Sequence, residues 1–227
     1  MNKIQFIHGN TDLLSDNITQ KRILVLGSGP SAREVDWKSA EWDVLMTTSF
    51  FYLNNEVINQ RPIHVTLSDI VELTDHRLLN YLDSNEKCTI SFETKPHPFY
   101  ESKPYKDFSL KYNDRIIYYN IQSRMGQYNK EGVAARLCWI ALAYNPISIT
   151  LCGIDGISKV PERDPSNYFR DHRGTKDNYD YNEYFKSFQS FAQELYEASK
   201  RSSVKVINLG KGKPYNMFSN ISEKYEI

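Results

Sequence analysis

An apolar segment runs into two closely spaced glycines near the start of the chain. Residues Ile23–Leu26 are followed by Gly27-Ser28-Gly29-Pro30-Ser31. The glycines allow a ligand to approach the backbone, and Pro30 favours the first turn of a helix, whose N–H groups and positive dipole end attract phosphate. The spacing up to Ala32 fits a dinucleotide fingerprint, but the next strand ends in Thr47-Thr48-Ser49 rather than in an acidic residue. We therefore expect a mononucleotide or nucleotide sugar instead of NAD, with a plain tight turn as the alternative.

Short polar side chains also follow two further predicted strands. Thr48 comes at the end of the second strand, and Ser68-Asp69 come at the end of the third. Ligands of open α/β sheets bind beyond the carboxyl ends of the strands. These side chains are therefore candidates for contacts to a base, a ribose or a phosphate. Helix capping is the alternative for Ser68 and Asp69, because an amphipathic segment begins directly after them.

A third group of candidates surrounds a late apolar strand. Glu131-Gly132 opens a helical segment, and Gly153-Ile154-Asp155-Gly156 follows the strand Ser148–Cys152. Gly132 allows a close backbone approach. Gly153 and Asp155 stand where a ligand at the sheet edge would lie. An Asx turn is the alternative for Asp155.

The stretch 156–182 is polar, lacks an apolar period and is expected to form a lid-like insertion. A loop of this length in a compact domain is either functional or disordered. Within it lies Asn167-Tyr168-Phe169-Arg170-Asp171-His172-Arg173-Gly174. His172, between cations and carboxylates, is the best candidate for a general base, and Arg170 is suited to a diphosphate or a leaving phosphate. A solvated charged loop is the alternative.

Alternating strands and helices position these residues. Short apolar runs predict seven strands: Arg22–Leu26, Asp43–Thr47, Ile63–Leu67, Cys88–Phe92, Ile116–Tyr119, Ser148–Cys152 and Val204–Leu209. Amphipathic stretches predict four helices: Ser31–Ala40, Ile70–Leu82, Glu131–Tyr144 and Tyr181–Arg201. Lys95–Tyr112 holds three prolines and is expected to be a long loop. This alternation predicts a single α/β domain over residues 1–227, with a mainly parallel, Rossmann-like sheet.

Composition excludes several classes of protein. The 227 residues include 28 Lys+Arg and 28 Asp+Glu, so the net charge is zero and general binding of a nucleic-acid polymer is not expected. The three cysteines form no CxxC pair, which argues against a zinc site or a disulfide scaffold. The N-terminus lacks the apolar core of a secretory signal, and no run approaches about 20 apolar residues, so we expect a cytoplasmic protein without membrane association. The 16 tyrosines are of a residue type suited to sugar or nucleotide binding, although most of them are expected to reflect compositional bias and to have no role in function.

In order and spacing these segments resemble glycosyltransferase family 42, the small bacterial sialyltransferases. The resemblance is carried by Gly27–Ser31, the aromatic run Phe50-Phe51-Tyr52, Gly132-Val133, Leu151–Asp155 and His172 before a long helix. No single segment is specific, but together they cover most of the chain from Lys21 to Phe218.

The resemblance implies a metal-independent, inverting transfer of a sialic-acid-like or Kdo-like sugar from a CMP-linked donor to a glycan hydroxyl. It also implies a GT-A-variant, Rossmann-like domain with a lid, no cofactor besides the donor, and a tendency to form homo-oligomers. The residues that would lie against the nucleotide are Gly27, Ser28, Gly29, Thr48 and Ser68. His172 would deprotonate the acceptor, and Tyr168 would donate a hydrogen bond to the departing phosphate.

The chain departs from the family pattern at donor-contact positions. The family has Asn in the glycine turn and after the second strand, where this chain has Ser28 and Thr48. Its Asn after the third strand falls at Ser68-Asp69, and its Thr-Ser before Gly-Val is Lys130-Glu131. These changes fit a shifted donor or a different member of the superfamily.

A second resemblance leaves two alternatives open. The chain is also similar to the domain-of-unknown-function 115 proteins, which include flagellin-modifying glycosyltransferases and 6-hydroxymethylpterin pyrophosphokinases. A pyrophosphokinase would need Mg²⁺ and ATP, with Asp69 and Asp155 as metal ligands. A nucleotide-sugar-binding protein without catalytic activity is the other alternative.

Overall fold

An eight-stranded, mainly parallel sheet forms the centre of the fold. The structure is a computed structural model that describes residues 4–38, 42–68, 70–94, 98–121, 132–154 and 181–209. The strands are β1 (Ile4–Gly9), β2 (Arg22–Leu26), β3 (Val44–Thr48), β4 (His64–Thr66), β5 (Thr89–Glu93), β6 (Ile116–Ile121), β7 (Ser148–Cys152) and β8 (Lys205–Asn208). Their order across the sheet is β1-β6-β5-β4-β3-β2-β7-β8, and among the described strands β1 alone pairs antiparallel, with β6. The predicted α/β, mainly parallel fold class is confirmed.

Helices pack on both faces of this sheet. The α-helices of the described residues are α1 (Thr11–Ile18), α2 (Asn55–Asn59), α3 (His76–Ser84), α4 (Lys103–Lys111), α5 (Gly132–Ala143) and α6 (Tyr181–Ser202). Apolar residues of α1, α5 and α6 form one core with Ile23 and Val25 of β2. Apolar residues of α2, α3 and α4 form the other core with Leu24 and Leu26. Because successive strand residues face opposite sides, β2 is buried on both faces, as its continuous apolar run predicts.

All seven predicted strands are present within two residues of their predicted ends, and two of the predicted helices, α5 and α6, also agree closely. The eighth strand, β1, was not predicted. Neither was α1, although Asn10 caps it by accepting the backbone N–H of Leu13 at 3.1 Å. Tyr181–Arg201 was predicted to bury one apolar stripe, and of its described members Phe191 and Leu195 are buried while Ala198 is partly buried against the same core.

Three other predictions were wrong in part, each for a local reason. The predicted helix Ser31–Ala40 is not α-helical over its described residues, 31–38: a single 3-10 turn, Pro30–Glu34, is followed by an Asx turn in which Asp36 accepts the N–H of Lys38 at 3.0 Å. The predicted helix Ile70–Leu82 is divided into the 3-10 turn Ile70–Thr74 and α3, because Asp75 accepts the N–H of Arg77 and caps a new helix.

The predicted loop Lys95–Tyr112 contains a helix. The 3-10 turn Pro98–Glu101 and α4 lie within it, and Ser102 caps α4 by accepting the N–H of Tyr105 at 3.3 Å. Pro104 is compatible with α4 because it falls in the first turn of that helix, where no intrahelical N–H bond is lost. Pro98 and Pro104 therefore stand where helical turns begin, and the loop prediction was wrong for this part of the stretch.

Candidate functional site

The chain changes direction across the sheet at the junction of β2 and β7, which are parallel neighbours. From β2 the chain proceeds to β3 on one side, whereas β7 continues to β8 on the other. Ligands of open α/β sheets bind at such a switch point, beyond the carboxyl ends of the strands. Gly27 directly follows β2 and Gly153 directly follows β7, so two of the predicted site residues meet there.

Gly27 and Gly153 are in direct backbone contact. A Cβ on Gly27 would lie 2.3 Å from the carbonyl oxygen of Gly153, and a Cβ on Gly153 would lie 2.3 Å from the carbonyl oxygen of Gly27. Gly153 also has a φ of +68°, which favours glycine. The N–H of Gly27 donates to Cys152 O, and the N–H of Gly29 donates to Gly153 O, both at 2.8 Å. These two N–H groups therefore hold the strand ends together and are not free for a phosphate.

Ser31 connects the glycine turn to the end of β7 through two hydrogen bonds. Its hydroxyl oxygen, which is buried, accepts the N–H of Gly153 at 2.9 Å. Its carbonyl oxygen accepts from the thiol of Cys152 at 3.1 Å. Because the element after Gly29 is one 3-10 turn, it offers far less dipole than the α-helix that was predicted. The turn is thus a rigid, close-packed platform of glycine backbone, with the half-buried Ser28 at its centre.

Hydroxyl groups line the ends of β3 and β4 beside this platform. Thr47 donates to Leu26 O at 3.1 Å and so joins β3 to the residue before the glycine turn. Thr48 is 5% exposed and pairs in register with Thr66 of β4. The hydroxyls of Ser49 and Ser68 lie 3.0 Å apart, and the N–H of Ser68 donates to Ser49 Oγ at 3.1 Å. The structure therefore brings Thr48 and Ser68 to the same edge of the sheet as the glycine turn.

A buried chain of polar side chains crosses β4 and β5 next to this edge. The Thr89 hydroxyl donates to Ile63 O at 3.2 Å, so its oxygen accepts from His64 Nδ1 at 2.7 Å. His64 Nε2 then accepts from Ser91 at 3.0 Å, and Ser91 accepts from Thr66 at 2.7 Å. This network assigns the Nδ1–H tautomer to His64. Burial lowers the pKa of His64 to about 3, so the ring is neutral.

A buried ion pair lies one step further along β5. Arg136 of α5 and Glu93 at the end of β5 approach to 2.8 Å, with side-chain exposures of 14% and 7%. The hydroxyl of Tyr119 lies in the same surroundings, and burial raises its pKa. An ion pair this deep is maintained only by its mutual attraction and its hydrogen bonds, so each partner depends on the other.

Sequence reasoning did not find this network or this ion pair. The signal was present, because His64 and Thr66 alternate with apolar residues in β4, as Thr89, Ser91 and Glu93 do in β5. Such a period-two pattern marks one polar face of a strand.

The cysteines of the chain do not supply a nucleophile. Cys88, Cys138 and Cys152 are all buried and free. Burial raises the pKa of the Cys88 thiol to about 12 and also raises that of Cys138. Their thiols therefore stay protonated near neutral pH, and the thiolate is the reactive form.

Six predicted site residues lie outside the described residues, namely Asp69, Glu131, Asp155, Tyr168, Arg170 and His172. The expected lid at about 156–182 lies outside them as well, apart from the start of α6. Within the described residues, Gly27, Ser28, Gly29, Pro30, Ser31, Thr48, Ser68 and Gly153 share one edge of the sheet, and Gly132 begins α5. In the described ranges no three His, Cys, Asp or Glu side chains cluster as metal ligands would, and none of the helices there is long and apolar enough to cross a membrane.

The fold matches solved bacterial sialyltransferases. The monofunctional α-2,3-sialyltransferase Cst-I from Campylobacter jejuni aligns over 88% of this chain and 78% of its own, with a TM-score of 0.55 and 16% identity. The apo form of an α-2,3-sialyltransferase from Campylobacter jejuni gives a TM-score of 0.56 at 16% identity, over 88% and 78% of the two chains. CstII from the same organism, in complex with the substrate analogue cytidine-5′-monophosphate, gives 0.53 at 16% identity, over 89% and 84%.

At this level of identity the likeness shows a shared fold. No protein-family model and no curated protein sequence matches the chain. The described residues therefore have a sialyltransferase-like α/β fold. The relation to the domain-of-unknown-function 115 proteins stays a prediction, because none of the three structures named above is such a protein.

Proposed function

We propose that the protein is a glycosyltransferase that uses a CMP-linked, sialic-acid-like or Kdo-like sugar as its donor and a glycan hydroxyl as its acceptor. The observation that carries this proposal is the backbone contact of Gly27 with Gly153 at the switch point of the sheet, next to the hydroxyls of Thr48 and Ser68. The fold supports it, because a neighbour with the same fold is described as a sialyltransferase in complex with cytidine-5′-monophosphate.

In this proposal the nucleotide lies on the glycine platform. The close contact of Gly27 with Gly153 forms the floor of this platform, and Ser28, Thr48 and Ser68 offer hydroxyls as hydrogen-bond donors and acceptors. Hydroxyls are neutral, so they suit the sugar and base better than the phosphate charge. We therefore assign the phosphate to cations or donors elsewhere, with Arg170 and Tyr168 as the proposed groups.

The proposed reaction is a single inverting displacement. His172 takes the proton of the acceptor hydroxyl while its oxygen forms a bond to the anomeric carbon of the donor sugar. The bond from that carbon to the phosphate oxygen breaks, and CMP leaves with the electron pair. Tyr168 donates a hydrogen bond to the departing phosphate, which stabilises its developing charge. The residues proposed here for chemistry need no metal ion, and Asp69 and Asp155 take a metal only if the chain is a pyrophosphokinase.

Replacement of His172 tests the chemical part of this proposal. Removing a general base lowers turnover by about 10²–10⁴-fold, so His172→Ala should lose transfer from the CMP-linked donor while its affinity for CMP stays within about twofold. His76→Ala is the matched control, because the His76 side chain is 83% exposed and lies on α3, and this variant should keep full turnover. Undiminished turnover in His172→Ala would exclude the assigned role.

The metal requirement separates transferase from pyrophosphokinase. A CMP-linked donor should be consumed at the same rate in EDTA as in Mg²⁺. Activity that needs Mg²⁺ and ATP would instead assign the site to pyrophosphoryl transfer. If the protein binds a nucleotide sugar but turns over no donor, the hypothesis of a nucleotide-sugar-binding protein without catalytic activity would be favoured.

A further inference from the structure

Glu72 is a fully buried carboxyl group beside the candidate site. It belongs to the 3-10 turn Ile70–Thr74, which follows β4, and it is 0% exposed. Its Oε1 accepts the backbone N–H of Phe50 at 2.7 Å. A carboxyl group is costly to bury unless it is hydrogen-bonded, so this contact needs a structural or functional reason.

The partner of Glu72 is a residue in a rare backbone conformation. Phe50 has a φ of 67°, in the left-handed region that bulky residues avoid. The residue directly follows Ser49 and starts the 3-10 turn Phe51–Leu53, in which the N–H of Leu53 donates to Phe50 O at 3.0 Å. A conformation of this kind persists only where neighbouring contacts hold it, and the hydrogen bond that the Phe50 N–H donates to Glu72 is such a contact.

A second tie joins the same two turns. Ser49 accepts the N–H of Ser68 at 3.1 Å, and the two hydroxyls lie 3.0 Å apart. The turn after β3 is thus bound to the segment after β4 at two consecutive residues, Ser49 and Phe50. These two connections form the strand-end clamp, defined by Ser49, Phe50, Ser68 and Glu72.

We propose that Glu72 is a positioning residue for nucleotide binding, acting through the strand-end clamp. This inference rests on the proposed function, because the hydroxyls assigned to the nucleotide include Ser68, a member of the clamp, and Thr48, which directly precedes it in the chain. The buried carboxyl holds the turn after β3 in its left-handed shape, and that shape fixes the position of Thr48 relative to Ser68. Glu72 itself touches the backbone of Phe50 and not the ligand, so it affects affinity for the donor and not the chemical step.

A conservative and a disruptive replacement separate these effects. Glu72→Gln keeps an oxygen that accepts the Phe50 N–H, and Glu72→Leu removes it at similar volume. We expect the amide of Phe50 to exchange faster with solvent in Glu72→Leu, measured by NMR without ligand. Losing one buried hydrogen bond corresponds to about a tenfold change in an equilibrium constant. In Glu72→Leu, the dissociation constant of CMP, measured by calorimetry, and the KM of the donor should therefore rise about tenfold, with kcat unchanged. In Glu72→Gln, both constants should stay within about threefold of their wild-type values.

Asn54→Ala is the matched control for general damage to this region. Asn54 caps α2 by accepting the N–H groups of Glu56 at 2.9 Å and Val57 at 3.4 Å, and neither bond is part of the strand-end clamp. This variant loses local stability, and its affinity for CMP should equal that of wild type. If Glu72→Leu does not fold, Glu72→Ser, which is too short to reach Phe50, takes its place.

Three results would overturn the inference: wild-type affinity in Glu72→Leu, equal weakening in Asn54→Ala, or no rescue by Glu72→Gln. If wild-type protein binds no CMP at all, the proposed function has failed instead. The exchange rate of the Phe50 amide then still decides whether Glu72 holds the turn: faster exchange in Glu72→Leu supports that part, and unchanged exchange refutes it.

Discussion

His64 makes the stability of the protein depend on pH in a calculable way. Its ring is 0% exposed, and burial lowers its pKa to about 3, whereas the unfolded chain has the ordinary value near 6.5. Between these two values the unfolded state binds a proton that the folded state does not. The contribution of His64 to the free energy of unfolding is therefore complete above pH 6.5 and decreases as the pH falls from 6.5 towards 3.

The size of this effect follows from the difference in proton binding. One proton taken up on unfolding changes the free energy of unfolding by about 1.4 kcal/mol per pH unit. Between pH 7.5 and pH 5 the ordinary histidine of the unfolded chain becomes almost fully protonated, while the buried ring stays neutral. The expected loss from this group alone is about 2 kcal/mol at pH 5.

Urea unfolding of wild type and His64→Leu at pH 7.5 and pH 5.0 measures this loss. All other titrating groups are shared, so their contributions cancel in the difference between the two proteins. The stability advantage of wild type should shrink by about 2 kcal/mol at the lower pH. Thr89→Val, which breaks the network but keeps the histidine, should retain the wild-type pH dependence. An advantage that is equal at both pH values would show that the ring is not buried and neutral.

Two further predictions concern close packing and buried charge. Gly153→Ala places a methyl group 2.3 Å from the carbonyl oxygen of Gly27 at a φ of +68°. It should therefore lower the free energy of unfolding, measured by urea titration, by about 2–4 kcal/mol and abolish nucleotide binding. Wild-type stability of this variant would contradict the close contact of the two glycines. Arg136→Met leaves Glu93 buried without its cation and should lower the free energy of unfolding by about 3 kcal/mol. The double variant with Glu93→Gln should regain part of that stability, because the buried charge is removed. Equal stability of the single and double variants would show that the pair is not coupled.

The strands were predictable because each one carries its own signal. The runs at Arg22–Leu26 and Ser148–Cys152 are continuously apolar, and burial on both faces demands such a composition. The edge strand β1 was missed because a strand at the sheet margin needs no such run. The helix α4 was missed because Pro104 was interpreted without its position in the first turn.

The candidate site was predictable residue by residue but not as an arrangement. Gly27 and Gly153 were each expected at the sheet edge, but nothing in the sequence states that β2 and β7 are neighbours across more than 120 residues. Their mutual contact, and the hydrogen bonds from the N–H groups of Gly27 and Gly29 to Cys152 and Gly153, follow from that pairing. Glu72 is a similar case, because its burial depends on the turn at Phe50, which precedes it by 22 positions.

Amide hydrogen exchange with and without CMP tests the central claim most directly, namely that a nucleotide binds at the glycine turn between β2 and β7. Peptides that cover residues 24–32 and 46–53 should exchange more slowly when CMP is added in EDTA, because the ligand would cover the backbone around Ser28 and Thr48. Peptides from β1, which lies at the end of the sheet far from β2 and β7, should exchange at an unchanged rate. Protection confined to β1, or no protection by CMP anywhere in the chain, would contradict the account.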